Sequence, residues 1–183
     1  MPAAHRIPMY SLHEEFSAQI NATVEQVFER LDDQTHLTEH MSKPSWKMGW
    51  GKMDTVLDAM YGRAVGSHIV LKGQVLGIQL YLDEVVTLRE PPFKKTWETV
   101  GEPRLLVIGS YLMGFDLKRE LNTAQLRVTI DYQLPGKGIP HWLGRLFGRS
   151  YAKWCTRQMV WDAQLSFTRH PENIEVRTEK EFR

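Results

Sequence analysis

The alternation of hydrophobic and polar residues predicts a strand near the start of the chain. Apart from Glu14, every second residue from Tyr10 to Ile20 is apolar, which is typical of a strand buried on one face. The apolar spacing then lengthens to three and four residues, the period of a helix that either Asn21 or Thr23 can cap. The apolar positions of this helix are Val24, Val27, Phe28 and Leu31.

From residue 45 to residue 134 the pattern predicts strands separated by turns. Two prolines, which cannot donate a backbone hydrogen bond, predict a turn at 90–93, and Gly-Glu-Pro-Arg predicts another at 101–104. A hairpin is predicted around Asn122-Thr123, because the strand that follows it alternates regularly between apolar and polar residues. The predicted strands are 45–58, two within 64–88 that separate near Lys72-Gly73, 94–100, 105–121 and 124–134.

A long helix is predicted to begin near Pro140, where the glycines and prolines of "PGKGIP" end the sheet, and to run to about Phe167. One broad face of this helix is apolar and aromatic, and we expect that face to pack against the sheet. Gly144 and Gly148 have the spacing of glycines in membrane helix dimers, but two neighbouring arginines argue against that use. The residues of the apolar face are Leu143, Phe147, Tyr151, Trp154, Cys155, Gln158, Trp161 and Leu165.

Two stretches of the chain resemble the SRPBCC superfamily, the group of Bet v 1, START and polyketide-cyclase proteins. In "FSAQINATVEQVFERLDD" at 16–33, a strand, a small residue and a helix with Val27-Phe28 follow one another as in that family. The stretch "KGQVLGIQLYLDEVVTLREPPFKKTWETVG" at 72–101 is similar in its order of residue types to the central strand pair of that family. This order is a glycine with apolar residues, then acidic residues, Val-Val, proline and tryptophan. Many members have Ala-Pro before the first helix, where this chain has Ala22-Thr23, a difference that leaves the fold unaffected.

The resemblance covers residues 10–168 and implies an α+β helix-grip fold, in which a curved antiparallel β-sheet wraps around a long C-terminal α-helix. We expect six or seven strands in one domain over residues 1–183, with a polar tail at 169–183. Members of the family enclose a cavity between sheet and helix, so the aromatic face of the helix is expected to line a ligand space as well as the core. Trp154 and Trp161 could instead fill a solid core. The residues expected to line the cavity are Tyr151, Trp154, Gln158, Trp161, Trp97, Tyr111, Met113 and His68.

Three functions are compatible with this interpretation. The first is the binding of an apolar or aromatic small molecule, lipid-like or polyketide-like, in the cavity. The second is a cyclase, aromatase or dehydratase without a metal or nucleotide cofactor, which would need an acid or base within reach of its substrate. His68, Tyr111 and Asp162 are candidates for that role, and nothing in their spacing selects one of them. The third is a regulatory or co-chaperone role through contact with another protein.

Composition narrows the classes of partner. The 183 residues are enough for one core, and a net charge of +1 provides no general attraction to nucleic acid. No apolar run reaches the ~18–20 residues that span a bilayer, and the first residues lack the apolar core of a signal peptide. We therefore expect a cytoplasmic protein without membrane insertion. Cys155 is the only cysteine, which excludes an internal disulfide, and we expect it to be buried and unreactive.

Metal and cofactor sites are not predicted. His36 and His40 match a zinc-peptidase pattern within a short polar helix predicted at 32–41, but the pattern needs a third ligand that the sequence does not place beside them. Patterns that bind phosphate or dinucleotides are absent, so no cofactor is expected.

Overall fold

In the described part of the chain, seven antiparallel strands form one sheet, against which two helices pack. The computed structural model describes residues 10–33, 52–75, 77–136 and 138–168. The strands are β1 (Leu12–Ile20), β2 (Lys52–Leu57), β3 (His68–Val75), β4 (Ile78–Glu90), β5 (Lys94–Thr99), β6 (Tyr111–Glu120) and β7 (Thr123–Tyr132), and the helices are α1 (Val24–Asp32) and α2 (Ile139–Thr168). The order of strands across the sheet is β1-β7-β6-β5-β4-β3-β2. This arrangement confirms the predicted α+β helix-grip fold.

The start of α1 is fixed by a reciprocal pair of hydrogen bonds. The Thr23 hydroxyl accepts a 3.4 Å bond from the Gln26 backbone N–H, and the Gln26 side chain accepts a 3.0 Å bond from the Thr23 N–H. This capping box satisfies two donors that the first turn of a helix leaves unpaired, and it identifies Thr23 rather than Asn21 as the cap. The apolar positions predicted for α1 are all buried.

The far end of α1 is anchored to the sheet by buried charges. A bulge between Val86 and Leu88 shifts the alternation of β4, so that Arg89 lies opposite Lys95 of β5 and faces the same side. Asp32 accepts hydrogen bonds of 2.8 Å from the Lys95 Nζ and 2.8 Å from the Arg89 Nη2. Burial raises the pKa of Asp32, but the bonds from Arg89 and Lys95 outweigh it and hold that pKa below its ordinary value.

The inner face of the sheet is the main core of the protein. Its central side chains are Tyr111, Met113, Phe115 and Leu117 of β6 and Ala124, Leu126, Val128, Ile130 and Tyr132 of β7. Glu14 of β1 lies on this face, as the alternation predicts, and its carboxylate accepts a 2.7 Å hydrogen bond from the Arg149 Nε of α2. The charged residue that interrupts the apolar pattern of β1 therefore joins the strand to the helix.

Several predicted boundaries are confirmed and two are wrong. The turn at 90–93, the hairpin before Thr123 and the extent of the long helix agree with the structure. β3 does not end near Lys72-Gly73, because Gly73 pairs with neighbours on both sides, and the turn lies at Gly77, which has a φ of +81°. Residues 105–110 precede β6 as irregular backbone rather than as strand. The predictions for 34–51 and for the tail at 169–183 lie outside the described residues.

The packing face predicted for α2 is wrong in part, because only Tyr151 and Cys155 of the residues predicted for it are shown packed against the core. Its buried residues are Gly144, Gly148, Ala152, Thr156, Met159, Val160 and Ala163, most of which are small. A Cβ atom at Gly148 would lie 2.8 Å from the Val107 carbonyl oxygen, so the helix approaches the chain too closely for a larger residue. Trp161 is 63% exposed, and Phe147 and Leu165 are exposed as well. Gly144 and Gly148 thus let α2 pack closely against the backbone of the same domain at Val107, rather than against a second membrane helix.

Candidate functional site

A buried carboxyl group, that of Glu84, lies on the inner face of β4. Glu84 is 6% exposed and pairs in register with Thr99 of β5. The Thr99 hydroxyl accepts a 3.1 Å hydrogen bond from the Tyr111 backbone N–H, which brings β6 into the same row of the sheet. From there the Tyr111 hydroxyl donates a short hydrogen bond to the Glu84 carboxylate, and the Trp97 side chain donates another. Three adjacent strands therefore build this site.

The surroundings of Glu84 favour its protonated form. Burial raises the pKa of Glu84 to about 7, although hydrogen bonds from Tyr111 and Trp97 and the charge of Lys95 act in the opposite direction. Burial and the neighbouring carboxylate also raise the pKa of Tyr111 well above its ordinary value. Near neutral pH, Glu84 therefore exchanges between an acid that can donate a proton and a base that can accept one, while Tyr111 stays protonated.

Helix α2 contributes two further polar groups to this region. Tyr151 and Cys155, one turn apart, share a hydrogen bond, and the charge of Glu84 is close enough to raise the pKa of Tyr151. Burial raises the pKa of the Cys155 thiol to about 12, so the sulfur is protonated at neutral pH and is a poor nucleophile. The sheet and the helix thus face each other with hydroxyl, thiol and carboxyl groups set among aromatic rings.

The structure brings part of the predicted site together. Trp97 and Tyr111 contact Glu84 directly, and Met113, which lies opposite Trp97 in the register, is buried in the next row. Tyr151 covers the same region from α2. The grouping of Trp97, Tyr111 and Tyr151 around one carboxyl group was not itself predicted.

His68 was expected near the cavity, and that position is wrong. Its neighbour Ile69 is fully buried, so alternation directs His68 to the outer face of the sheet. There the His68 ring nitrogen Nδ1 lies 2.9 Å from an Asp83 carboxylate oxygen at the surface.

The remaining predicted residues, Trp154, Gln158 and Trp161, line a half-open groove on the outer side of α2. This groove, of about 540 Å³, also borders Phe16 of β1. A second groove of about 460 Å³ continues past Trp161 toward Gln19. Trp161 therefore projects to the surface rather than toward the sheet, and the predicted cavity residues divide between two sides of the helix.

Glu84 was missing from the candidates, although the sequence carries a signal for it. Leu82, Glu84 and Val86 alternate along one face of β4, and a carboxyl group between two apolar residues is the same anomaly that Glu14 presents in β1.

Two further properties of the described ranges concern function. They contain no group of three or more histidine, cysteine, aspartate or glutamate residues that could hold a metal ion, and no helix long and apolar enough to cross a membrane.

No model of a known protein family matches the chain, and no curated protein does. Solved structures do match it. The Zhui aromatase/cyclase from Streptomyces sp. R1128 matches with a TM-score of 0.63 and 14% identity, over 86% of this chain and 94% of its own. TTHA0849 from Thermus thermophilus matches with a TM-score of 0.62 and 11% identity, over 86% of this chain and 98% of its own. Ara h 8.0201 matches with a TM-score of 0.58 and 9% identity, over 87% and 99%. The chain therefore has the SRPBCC-like, Bet v 1-like fold.

Proposed function

We propose that this protein binds an apolar or aromatic small molecule between its sheet and α2, with the Glu84 carboxyl group as the polar anchor. The observation that carries the proposal is the buried carboxyl itself. Burying a carboxylate is costly, and a hydrophobic residue at this position would avoid that cost. A group of this kind, with its pKa moved toward neutrality, is typical of functional sites.

The side chains around Glu84 suit a flat ligand that carries one hydrogen-bonding group. Trp97, Tyr111 and Tyr151 offer rigid aromatic surface that loses little entropy on binding. Glu84 accepts a hydrogen bond when ionised and can donate one when protonated, so it matches a phenol, an alcohol or a ketone. The fold adds support, because the structures that share it include one described as an aromatase/cyclase.

The test compares 2-naphthol with naphthalene, which differ by one hydroxyl group. At pH 8, above the pKa of about 7 for Glu84, the wild-type protein should bind 2-naphthol at least about tenfold more tightly, since a hydrogen bond to a charged partner is worth about 1.5–3 kcal/mol. In Glu84→Leu the two affinities should become equal, whereas Glu84→Gln should keep part of the difference. Glu98→Gln is the matched control, because Glu98 lies on the neighbouring strand and alternation turns it to the opposite face from Trp97.

Binding titrations by calorimetry and melting curves on the same samples separate loss of affinity from loss of fold. The proposal fails if the wild type binds neither compound. It also fails if a folded Glu84→Leu variant retains the full preference for 2-naphthol.

A second candidate function, acid–base catalysis of the dehydratase or cyclase type, is favoured by the pKa of about 7 for Glu84. Its carboxylate could take a proton from the carbon beside a ketone, and the resulting acid could return that proton to a departing hydroxide as water. Tyr151, whose pKa is raised well above 10.0, supplies a protonated hydroxyl on the side of α2. Dehydration of an aromatic β-hydroxyketone should then show a pH dependence with an inflection near 7 that Glu84→Gln abolishes. A rate no faster than in buffer would exclude this activity for that substrate class.

A further inference from the structure

The outer side of α2 exposes an unusual amount of apolar surface. Six of the sixteen exposed large hydrophobic residues in the described part of the chain lie on this one helix. Trp142 and Leu146 are each 70% exposed, and they lie on the side of the helix opposite the small buried residues. The six residues are Ile139, Trp142, Leu146, Phe147, Trp161 and Leu165. We call these six residues, together with the cations Arg145, Lys153 and Arg157, the outer face of α2.

The charges of the outer face are all positive. Arg145 lies over the Trp142 ring at 5.8 Å and Arg157 over the Phe16 ring at 5.5 Å, and Lys153 lines the same groove as Arg157. Within the described residues, none of these three cations forms an ion pair with a carboxylate. The single acidic residue of the helix, Asp162, is half-buried and accepts a hydrogen bond from Gln158, away from the outer face.

We propose that the outer face of α2 docks on the surface of an anionic lipid bilayer, with the helix lying in the plane of the headgroups. A helix of 30 residues is about 45 Å long and presents exposed tryptophans at both ends of its outer face. Tryptophan rings suit the boundary between headgroups and acyl chains, and aliphatic side chains reach into the acyl region. The cations between them are placed to meet lipid phosphates.

Charge and residue type decide against two other occupants. A second copy of the chain, paired through the same face, would bring identical cations together with no carboxylate between them. A single-stranded nucleic acid would use the cations and the tryptophans, but the aliphatic residues Ile139, Leu146 and Leu165 offer nothing on which bases can stack. An anionic bilayer uses all three kinds of residue.

The experiment is co-sedimentation of the purified protein with vesicles of phosphatidylcholine alone and of phosphatidylcholine and phosphatidylglycerol in equal parts. The protein should bind the mixed vesicles, and added salt should weaken the binding. Trp142→Ser should lower the affinity by about tenfold or more, because it removes a side chain that becomes buried. Lys153→Gln should lower it by about fivefold. Both positions are at the surface, so the variants should fold.

Matched controls test whether position matters. Leu121→Ser removes a fully exposed apolar residue at the tip of the β6–β7 hairpin, and Lys118→Gln removes an exposed cation of β6. Both should leave vesicle binding unchanged, and all four variants should bind 2-naphthol as the wild type does, which separates this proposal from the ligand site.

Three results would overturn the proposal. The first is equal binding to both kinds of vesicle, or none. The second is a dimer in sedimentation velocity that Trp142→Ser dissociates, without any vesicle binding. The third is binding to single-stranded DNA, in place of vesicles, with the same dependence on Trp142 and Lys153.

Discussion

Replacing Glu84 with glutamine should make the protein more stable at alkaline pH and leave its stability nearly unchanged in acid. Glutamine has the shape of the carboxylic acid and can still accept the hydrogen bond from Tyr111, but it cannot ionise. Burial raises the pKa of Glu84 above its ordinary value, so the folded state holds a proton that the unfolded chain has already released. As the pH rises from the ordinary pKa of the carboxyl group to its raised pKa in the folded protein, the wild type therefore loses stability, and the variant does not.

The size of the effect follows from the two pKa values. The folded protein has a value of about 7 for Glu84, and the ordinary value is 4.5. Each pH unit between them corresponds to about 1.4 kcal/mol, so the free energy of unfolding of the variant should exceed that of the wild type by about 3 kcal/mol at pH 8. Below pH 4.5 the carboxyl is protonated in both states, and the difference should vanish.

Urea unfolding of both proteins at several pH values between about 4 and 8 measures this difference directly, because the other titrating groups cancel in the comparison. Glu98→Gln, on the opposite face of the sheet, should show no difference of this kind. A difference that stays constant with pH, or one that increasingly favours the wild type as pH rises, would refute the assignment of a buried, neutral carboxyl to Glu84.

Two further predictions concern packing and buried charge. Gly148→Ala should destabilise the fold by about 1–2 kcal/mol, because its new Cβ would lie 2.8 Å from a backbone carbonyl oxygen and overpacking outweighs the gain in helix propensity. Ser150→Ala, at an exposed position two residues later, should be neutral or slightly stabilising in the same denaturation assay, and equal effects would contradict the close contact. Lys95→Met should cost about 3 kcal/mol in melting experiments, because it removes a fully buried partner of Asp32. Lys94→Met, at the neighbouring and more exposed lysine, should cost less than about 1 kcal/mol. A cost as large as that of Lys95→Met would argue against a special role for the buried bond between Lys95 and Asp32.

Much of the fold could be predicted from local patterns. The alternation of β1 and the prolines at 90–93 act over a few residues, and each produces the strand or turn that it predicts. The cap of α1 was predicted only as Asn21 or Thr23, and the structure places it at Thr23. The packing face of α2 could not be predicted in the same way. Hydrophobicity ranks Trp161 above Gly148 as a core residue, but the distance between helix and chain decides which of them fits, and that distance depends on residues far along the sequence.

The candidate site was only partly predictable for the same reason. Trp97, Tyr111 and Tyr151 are recognisable as aromatic residues on apolar faces. Their common partner, Glu84, acquires its meaning only when β4, β5 and β6 are aligned in register, because its hydrogen bond to Tyr111 spans 27 residues. A charged residue in an apolar row marks such positions, but the pattern alone does not distinguish Glu84 from Glu14, which forms an ion pair with the helix instead.

The position of β1 beside β7 has a consequence for synthesis on the ribosome. Ile20 pairs with Ala124, so β1 leaves the ribosome about a hundred residues before its partner exists. At about 5–20 residues per second, this strand waits roughly 5–20 seconds while the strands from β2 to β7 can pair one after another as hairpins. Helix α2, which covers β1 and β7, follows later still. The nascent chain therefore carries an unpaired, half-apolar strand through most of its translation, an interval in which that strand can pair with the wrong edge.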